Sequence, residues 1–161
     1  MKINKIFLIF LLMIAVILLF VPTQQEEPSV NILAGDNKLM VESDFIHNHP
    51  DAIVFPAVVR SSGQKPVETE YKGIELSRLF SSLDIDTSSI ERVTFNATDG
   101  YRIILSMEEL KEPSNIYLTF ERDREYLKSK KQGGNGPFQL VIRRDPFSQR
   151  WIKHVDEIIL E

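Results

Sequence analysis

Apolar residues fall into three regimes along the chain. Ile6 to Val21 is an unbroken run of 16 residues without a charged or polar member. Pro22 to Pro28 (PTQQEEP) is polar and bracketed by prolines, the composition of a tether. From Ser29 onward the apolar positions come in short runs separated by turn residues, which predicts a strand-rich domain. The expected organisation is an N-terminal apolar segment (1–21), a tether (22–28) and one folded domain (29–161).

Within the domain, Ser29–Leu33 and Lys38–Val41 pair across Ala34-Gly35-Asp36-Asn37, whose residue types favour tight turns. Ser43-Asp44-Phe45 opens a helical turn that Pro50 ends. Ala52 to Arg60 is strongly β-forming. Pro56 inside it marks an edge or a bulge, because proline cannot donate to a ladder. Pro66 to Tyr71 alternates as a strand. Between Ile74 and Leu83 the period changes: Leu76, Leu79, Phe80 and Leu83 stand at i, i+3, i+4 and i+7, which predicts an amphipathic helix. Ile90–Ala97 and Tyr101–Leu105 are strands joined by Asp99-Gly100, a strong hairpin signal. Ser106-Met107-Glu108-Glu109 has the form of a capping box and opens a helix that Pro113 stops. Asn115–Phe120, Phe138–Ile142 and Val155–Leu160 read as further strands. Strands dominate and two or three short helices interleave, so the fold class is α+β rather than repeated βαβ.

Charge gives the apolar run a direction. Lys2 and Lys5 precede it, and Glu26 and Glu27 follow. A helix of that length spans roughly 24 Å. Ile3 and the snorkelling lysine stems extend it toward the ~30 Å hydrocarbon core. The positive-inside tendency keeps the lysines cytoplasmic and sends the domain across the membrane. No Ala-x-Ala pattern follows the run, which favours an uncleaved single-pass anchor; a cleaved signal would leave the domain secreted. From Pro22 onward there are 17 basic and 23 acidic side chains, a formal net charge of −6. Such a domain lacks the basic surface that nucleic acid requires, so no nucleic-acid partner is expected.

Composition removes whole classes of chemistry. The 161-residue chain has no cysteine, which excludes disulfides, cysteine-zinc and iron–sulfur sites, a thiol nucleophile and an acylated lipobox. No acid pair forms a convincing general acid/base couple, and Glu108-Glu109 belong to a helix start. Against this acidic background, Arg143, Arg144, Arg150 and Lys153 bring four positive charges into eleven residues. They suit a phosphate or carboxylate held by charge-assisted hydrogen bonds, or a solvated strand face paired with Asp145 and Asp156. His47 and His49 could share one face of an extended segment and ligate a metal. With no compelling third ligand they read as surface-loop histidines, and His154 as a partly exposed strand residue. Trp151 reads as core. Lys128, Lys130 and Lys131 precede a glycine-rich loop at 133–137 and read as solvated.

Four segments carry a family resemblance. They are Tyr71-Lys72-Gly73-Ile74-Glu75-Leu76-Ser77-Arg78-Leu79, then Thr98-Asp99-Gly100-Tyr101 with the capped Ser106–Leu110, then Gly136-Pro137-Phe138-Gln139-Leu140-Val141-Ile142, and finally Ser148-Gln149-Arg150-Trp151-Ile152-Lys153 with Ile158. In this order they resemble the molybdopterin-binding domain of the sulfite-oxidase-type molybdopterin-dependent oxidoreductases. The resemblance implies a mixed, barrel-like β core with short helices, and molybdopterin as the possible cofactor. In catalytic members of that family a cysteine ahead of the glycine-containing helix segment ligates molybdenum. The matching stretch is Val58-Val59-Arg60-Ser61-Ser62-Gly63, where Ser61 or Ser62 is the nearest oxygen donor and a far weaker ligand than a thiolate. The family's phosphate-holding loop is glycine-rich, whereas Arg143 to Arg150 contains no glycine.

The expected protein is a membrane-anchored extracytoplasmic domain of a bacterial envelope, non-catalytic or ligand-binding. Its candidate anion or pterin site is Ser61, Arg143, Arg144, Ser148, Arg150 and Lys153, with no catalytic or metal-ligating residue assigned. Two alternatives stand beside it: a molybdopterin-dependent oxidoreductase lacking the cysteine ligand, and an envelope interaction protein that reuses the fold as a scaffold. The expected partners are the membrane and a small anionic ligand or an envelope protein.

Overall fold

A computed structural model describes residues 27–161. The expected anchor and most of the tether lie outside the described residues, and no described helix is long and apolar enough to cross a membrane. The domain is built on two five-stranded sheets. The first has the order β2-β1-β10-β5-β6, from β1 (Ser29–Ala34), β2 (Asn37–Glu42), β5 (Arg92–Ala97), β6 (Arg102–Ser106) and β10 (Val155–Leu160). The second runs β3-β4-β7-β8, with β9 also pairing β7; these are β3 (Ile53–Val59), β4 (Val67–Glu75), β7 (Ile116–Arg122), β8 (Glu125–Tyr126) and β9 (Gln139–Ile142). Three short helices accompany them: α1 (Ser43–His47), α2 (Leu76–Ser82) and α3 (Met107–Lys111). The α+β expectation is met. The barrel-like core is corrected to two open sheets: β2 and β6 remain edges, because no strand returns to close them.

The expected hairpins form where turn residues sit between alternating strands. β1 pairs antiparallel with β2, and β5 with β6. β3 pairs only with β4, so its other side is an edge, which explains how Pro56 is accommodated. The inward positions make one continuous core, to which Val30, Ile32, Val93, Phe95 and Ile158 come from the first sheet and Ile74, Leu118, Phe120 and Leu140 from the second. At ~25 cal/mol per Å² of apolar surface, this burial is the main stabilising contribution.

The helix expected over Ile74–Leu83 starts later, at Leu76. Ile74 and Glu75 instead continue β4 and pair with Leu118 and Tyr117 of β7. Ile74 is apolar in both periodicities, so pairing with β7 decides its state. The capping box is half formed. Glu109 N–H donates to Ser106 Oγ (3.1 Å), while the Glu109 carboxylate turns away to Arg150.

Gly73 has a packing role in this arrangement. A bulge at Lys72/Gly73 brings β4 against β7, where an added Cβ would lie 2.5 Å from the Leu118 carbonyl oxygen and 2.8 Å from Thr119 Cα. Backbone atoms cannot yield as a side chain can. Gly73→Ala is therefore expected to destabilise the domain by about 1–3 kcal/mol, read as a lowered denaturation midpoint. An unchanged midpoint would show that the β4–β7 crossing relaxes freely.

Candidate anion-binding clefts

The chain after β9 makes the site. Beyond Ile142 it turns through Arg143-Arg144, crosses to a 3-10 turn at Ser148–Arg150, and re-enters the core at Trp151. Trp151 Nε1–H donates to the Ile142 carbonyl (2.9 Å), and its ring meets Tyr71 edge-on at 5.9 Å. The loop is thereby closed at its base. Its far side is tied to the end of β3, because Arg60 N–H donates to Ser148 Oγ (2.9 Å).

Two clefts share Trp151 as a wall. The first, about 370 Å³, is lined by Arg60, Arg143 and Arg144 together with Ser114 and residues 56–58 of β3. The second, about 380 Å³, holds Lys65, Arg122 and Lys153 beside Ser61, Ser148, Gln139 and Tyr71. Among the described residues no carboxylate lines either cleft. Six cations line the clefts and no acid does; Arg144 pairs with Glu112 and Arg122 with Asp123 outside the lining. The other four, unpaired among the described residues, make a local positive field that attracts anions, in a domain (29–161) of 17 basic and 21 acidic side chains.

The six candidate residues do not gather at one point. Ser61, Ser148 and Lys153 share the second cleft, and Arg143 and Arg144 the first. Arg150 lines neither. It forks onto Glu109 (2.7 and 3.1 Å) and is also bonded to Asp145, whose side chain is only 6% exposed. Hydrogen bonds donated to Asp145 first, then to Glu109, hold its guanidinium charged beyond the ordinary arginine range. Arg144 is likewise engaged, with Glu112 (2.7 Å) and the Pro113 carbonyl (3.1 Å). Arg143 lies over the Phe55 ring at 5.2 Å and donates to the Ser114 carbonyl (3.3 Å). Arg143, Lys65 and Lys153 have no ion-pair partner among the described residues.

Residues that the sequence reading passed over complete the clefts. Arg60 and Lys65 flank the Ser61-Ser62-Gly63 turn, where their position in a hairpin between two strands could have suggested them. Arg122 carries no local signal; β4–β7 pairing brings it over Tyr71, with its guanidinium 5.7 Å from the ring. Gln139 is buried, and its Oε1 has no hydrogen-bond partner. Such a group costs roughly 1–3 kcal/mol, which a ligand donor would recover. Burial raises the Tyr71 hydroxyl above the ordinary tyrosine range, keeping it neutral.

Three histidines depart from expectation. His49 is buried, with Nε2 at 2.9 Å from Ser82 Oγ, while its Nδ1 accepts from Asp51 N–H (3.1 Å). An accepting Nδ1 leaves Nε2–H as the donor, a neutral structural imidazole. His47 is half-buried and stacks on Tyr126 at 4.6 Å and Phe120 at 4.9 Å. His154 is buried and its Nδ1 contacts the Gly136 carbonyl at 2.9 Å, fastening the glycine-rich loop. The surface-loop and exposed-strand readings are thus corrected; long-range packing covers all three rings. No group of three His, Cys, Asp or Glu among the described residues could hold a metal.

A molybdenum centre fits this donor set poorly. Ser61 occupies the second cleft near the matched cysteine position, yet offers only a neutral hydroxyl. The cations and the orphaned Gln139 oxygen suit an anion bearing a hydrogen-bond donor.

No protein-family model matches the sequence, and no curated protein matches it. The mixed two-sheet architecture agrees with the α+β fold class expected from the sequence. Among solved structures, the chain is similar to the sulfane dehydrogenase SoxCD from Paracoccus pantotrophus, with a TM-score of 0.65 and 17% identity over 83% of this chain. It spans 38% of that chain, and the likeness is one of fold.

His47 gives a pH prediction. Burial lowers its pKa from 6.5, Lys72 acts in the same direction, and Glu121 and Asp44 oppose. A base depressed on folding binds protons better when unfolded, so stability falls as pH drops from about 6.5 through the folded pKa. Above that window it contributes no pH dependence. His47→Phe should flatten this part of a thermal-midpoint profile; an unaltered slope would assign the acid sensitivity to another group.

Proposed function

We propose that the protein is a membrane-anchored extracytoplasmic domain that binds a small anionic ligand in the second cleft and carries out no molybdenum chemistry. The observation that carries this reading is the cleft's lining: Lys65, Arg122 and Lys153, no carboxylate, and a buried Gln139 Oε1 awaiting a donor. The anchor is supported by the Ile6–Val21 run and its flanking charges. The fold likeness supports a sulfite-oxidase-type scaffold, and the absence of any cysteine supports a loss of the family's metal chemistry.

The only tryptophan walls both clefts, so its emission reports on them. Titration of the full chain with orthophosphate should give a saturable change that weakens with salt, because part of the attraction is screened. Lys153→Gln should weaken binding about tenfold, the loss of one charge-assisted contact. Arg150→Gln, whose side chain lines neither cleft, should weaken binding less than Lys153→Gln while lowering stability by about 1–2 kcal/mol, allowing for its partial exposure. A flat titration would overturn the anion reading. Protein recovered from its native membranes is expected to lack stoichiometric molybdenum. Stoichiometric metal would establish the oxidoreductase alternative, and a soluble form beginning near Gln24 would replace the anchor with a cleaved signal.

A further inference from the structure

We infer that the ligand is an elongated dianion that bridges the two clefts, with one anionic group at Lys153 and the other at Arg143. This rests on the anion-binding reading above and specifies its ligand class. The two clefts are successive sites along one strand. Pro56, Ala57 and Val58 border the first and Val59 the second, and consecutive strand residues rise about 3.3 Å, so the two clefts adjoin at the end of β3. Trp151 walls both, so a spacer passing between them crosses an aromatic surface held rigid by its Nε1–H bond to Ile142.

Charge is available in each cleft. In the first, Arg143 has no carboxylate partner among the described residues, and its stacking on Phe55 and bond to the Ser114 carbonyl pre-orient the guanidinium. In the second, Lys65 and Lys153 are likewise unpaired. The tie between Arg60 N–H and Ser148 Oγ fixes the strand end to the loop, which holds the spacing between the clefts. A monoanion satisfies only one cleft and leaves the other's positive field uncompensated. A dianion of matched length satisfies both, and its second contact is intramolecular.

The test compares anions of one chemistry and varying reach on the full-length chain in neutral detergent, with Trp151 emission as the readout. Acetate is the single-charge probe; the series from malonate to suberate supplies two carboxylates at increasing separation. One intermediate length is expected to bind roughly a hundredfold tighter than acetate, with shorter and longer members falling away on either side. Arg143→Gln and Lys153→Gln should each remove most of that advantage. Arg143→Lys, which keeps the charge but loses the planar stack, should retain part of it. If every dicarboxylate matches acetate while acetate still binds through Lys153, bridging is overturned and the single-cleft reading stands. If neither acetate nor any dicarboxylate alters the emission, bridging is overturned; if orthophosphate leaves it unchanged as well, both fall. The length series on the unmodified chain decides the matter even if a variant folds poorly.

Discussion

The hydrogen bond from Trp151 Nε1 to the Ile142 carbonyl acts with the backbone bond from Leu140 N–H to the Ile152 carbonyl (2.8 Å) to hold together the two ends of the loop between them. Inside that closure lie Arg143, Arg144 and the Ser148 turn, and outside it the ring packs against Tyr71. The bond is buried, so losing it would leave the indole N–H without water to replace its partner, while the carbonyl would keep Asp145 N–H (3.2 Å). Both clefts take their shared wall from this one ring. Their floors come from β3 and β4, which the Arg60–Ser148 contact joins to the same loop.

Charge in this region is divided by how it is balanced. Arg144 and Arg150 are committed to Glu112, Glu109 and Asp145, and brace the loop against the segment around α3. Arg143, Lys65 and Lys153 have no such counterion among the described residues and face cleft space. Four basic residues that are near neighbours in sequence therefore serve two physical purposes. The braced pair fixes geometry, while the unbalanced ones leave an attraction to be satisfied from outside. The same split explains why an acidic domain can present a locally positive surface.

Much of the strand framework was legible from alternation and turn chemistry. Gly35-Asp36 and Asp99-Gly100 lie in the turns of the two hairpins of the first sheet, and Pro56 fell on an edge as its missing donor requires. What escaped notice depended on partners distant in sequence. Ile74 fits a helical stripe, but pairing with Leu118 makes it a strand residue. His47 and His49 flank a polar Asn48 and His154 follows Lys153, yet each is covered by residues remote in the chain. The cluster of basic residues was visible as a cluster. Its division was not, because Glu109, which draws Arg150 away, lies 41 positions earlier. Arg122 and Gln139 entered the site only through the pairing of β7 with β4 and β9.

The parallel pairing of β1 with β10 bears on how the domain is made. Asn31 lies beside Glu157 and Ala34 beside Leu160, so the first strand of the domain finds one of its two neighbours only in the last. Contacts of such long sequence separation are slow to form, because almost the entire loop must be closed before they reward the chain. The order β2-β1-β10-β5-β6 also means that the β1–β2 hairpin and the β5–β6 hairpin are joined solely through β10. Until that strand arrives, two hairpins wait with exposed edges, and assembly of the first sheet is a terminal event in folding. A chain emerging progressively from its N-terminal end would therefore hold an incomplete, association-prone sheet until β10 was delivered.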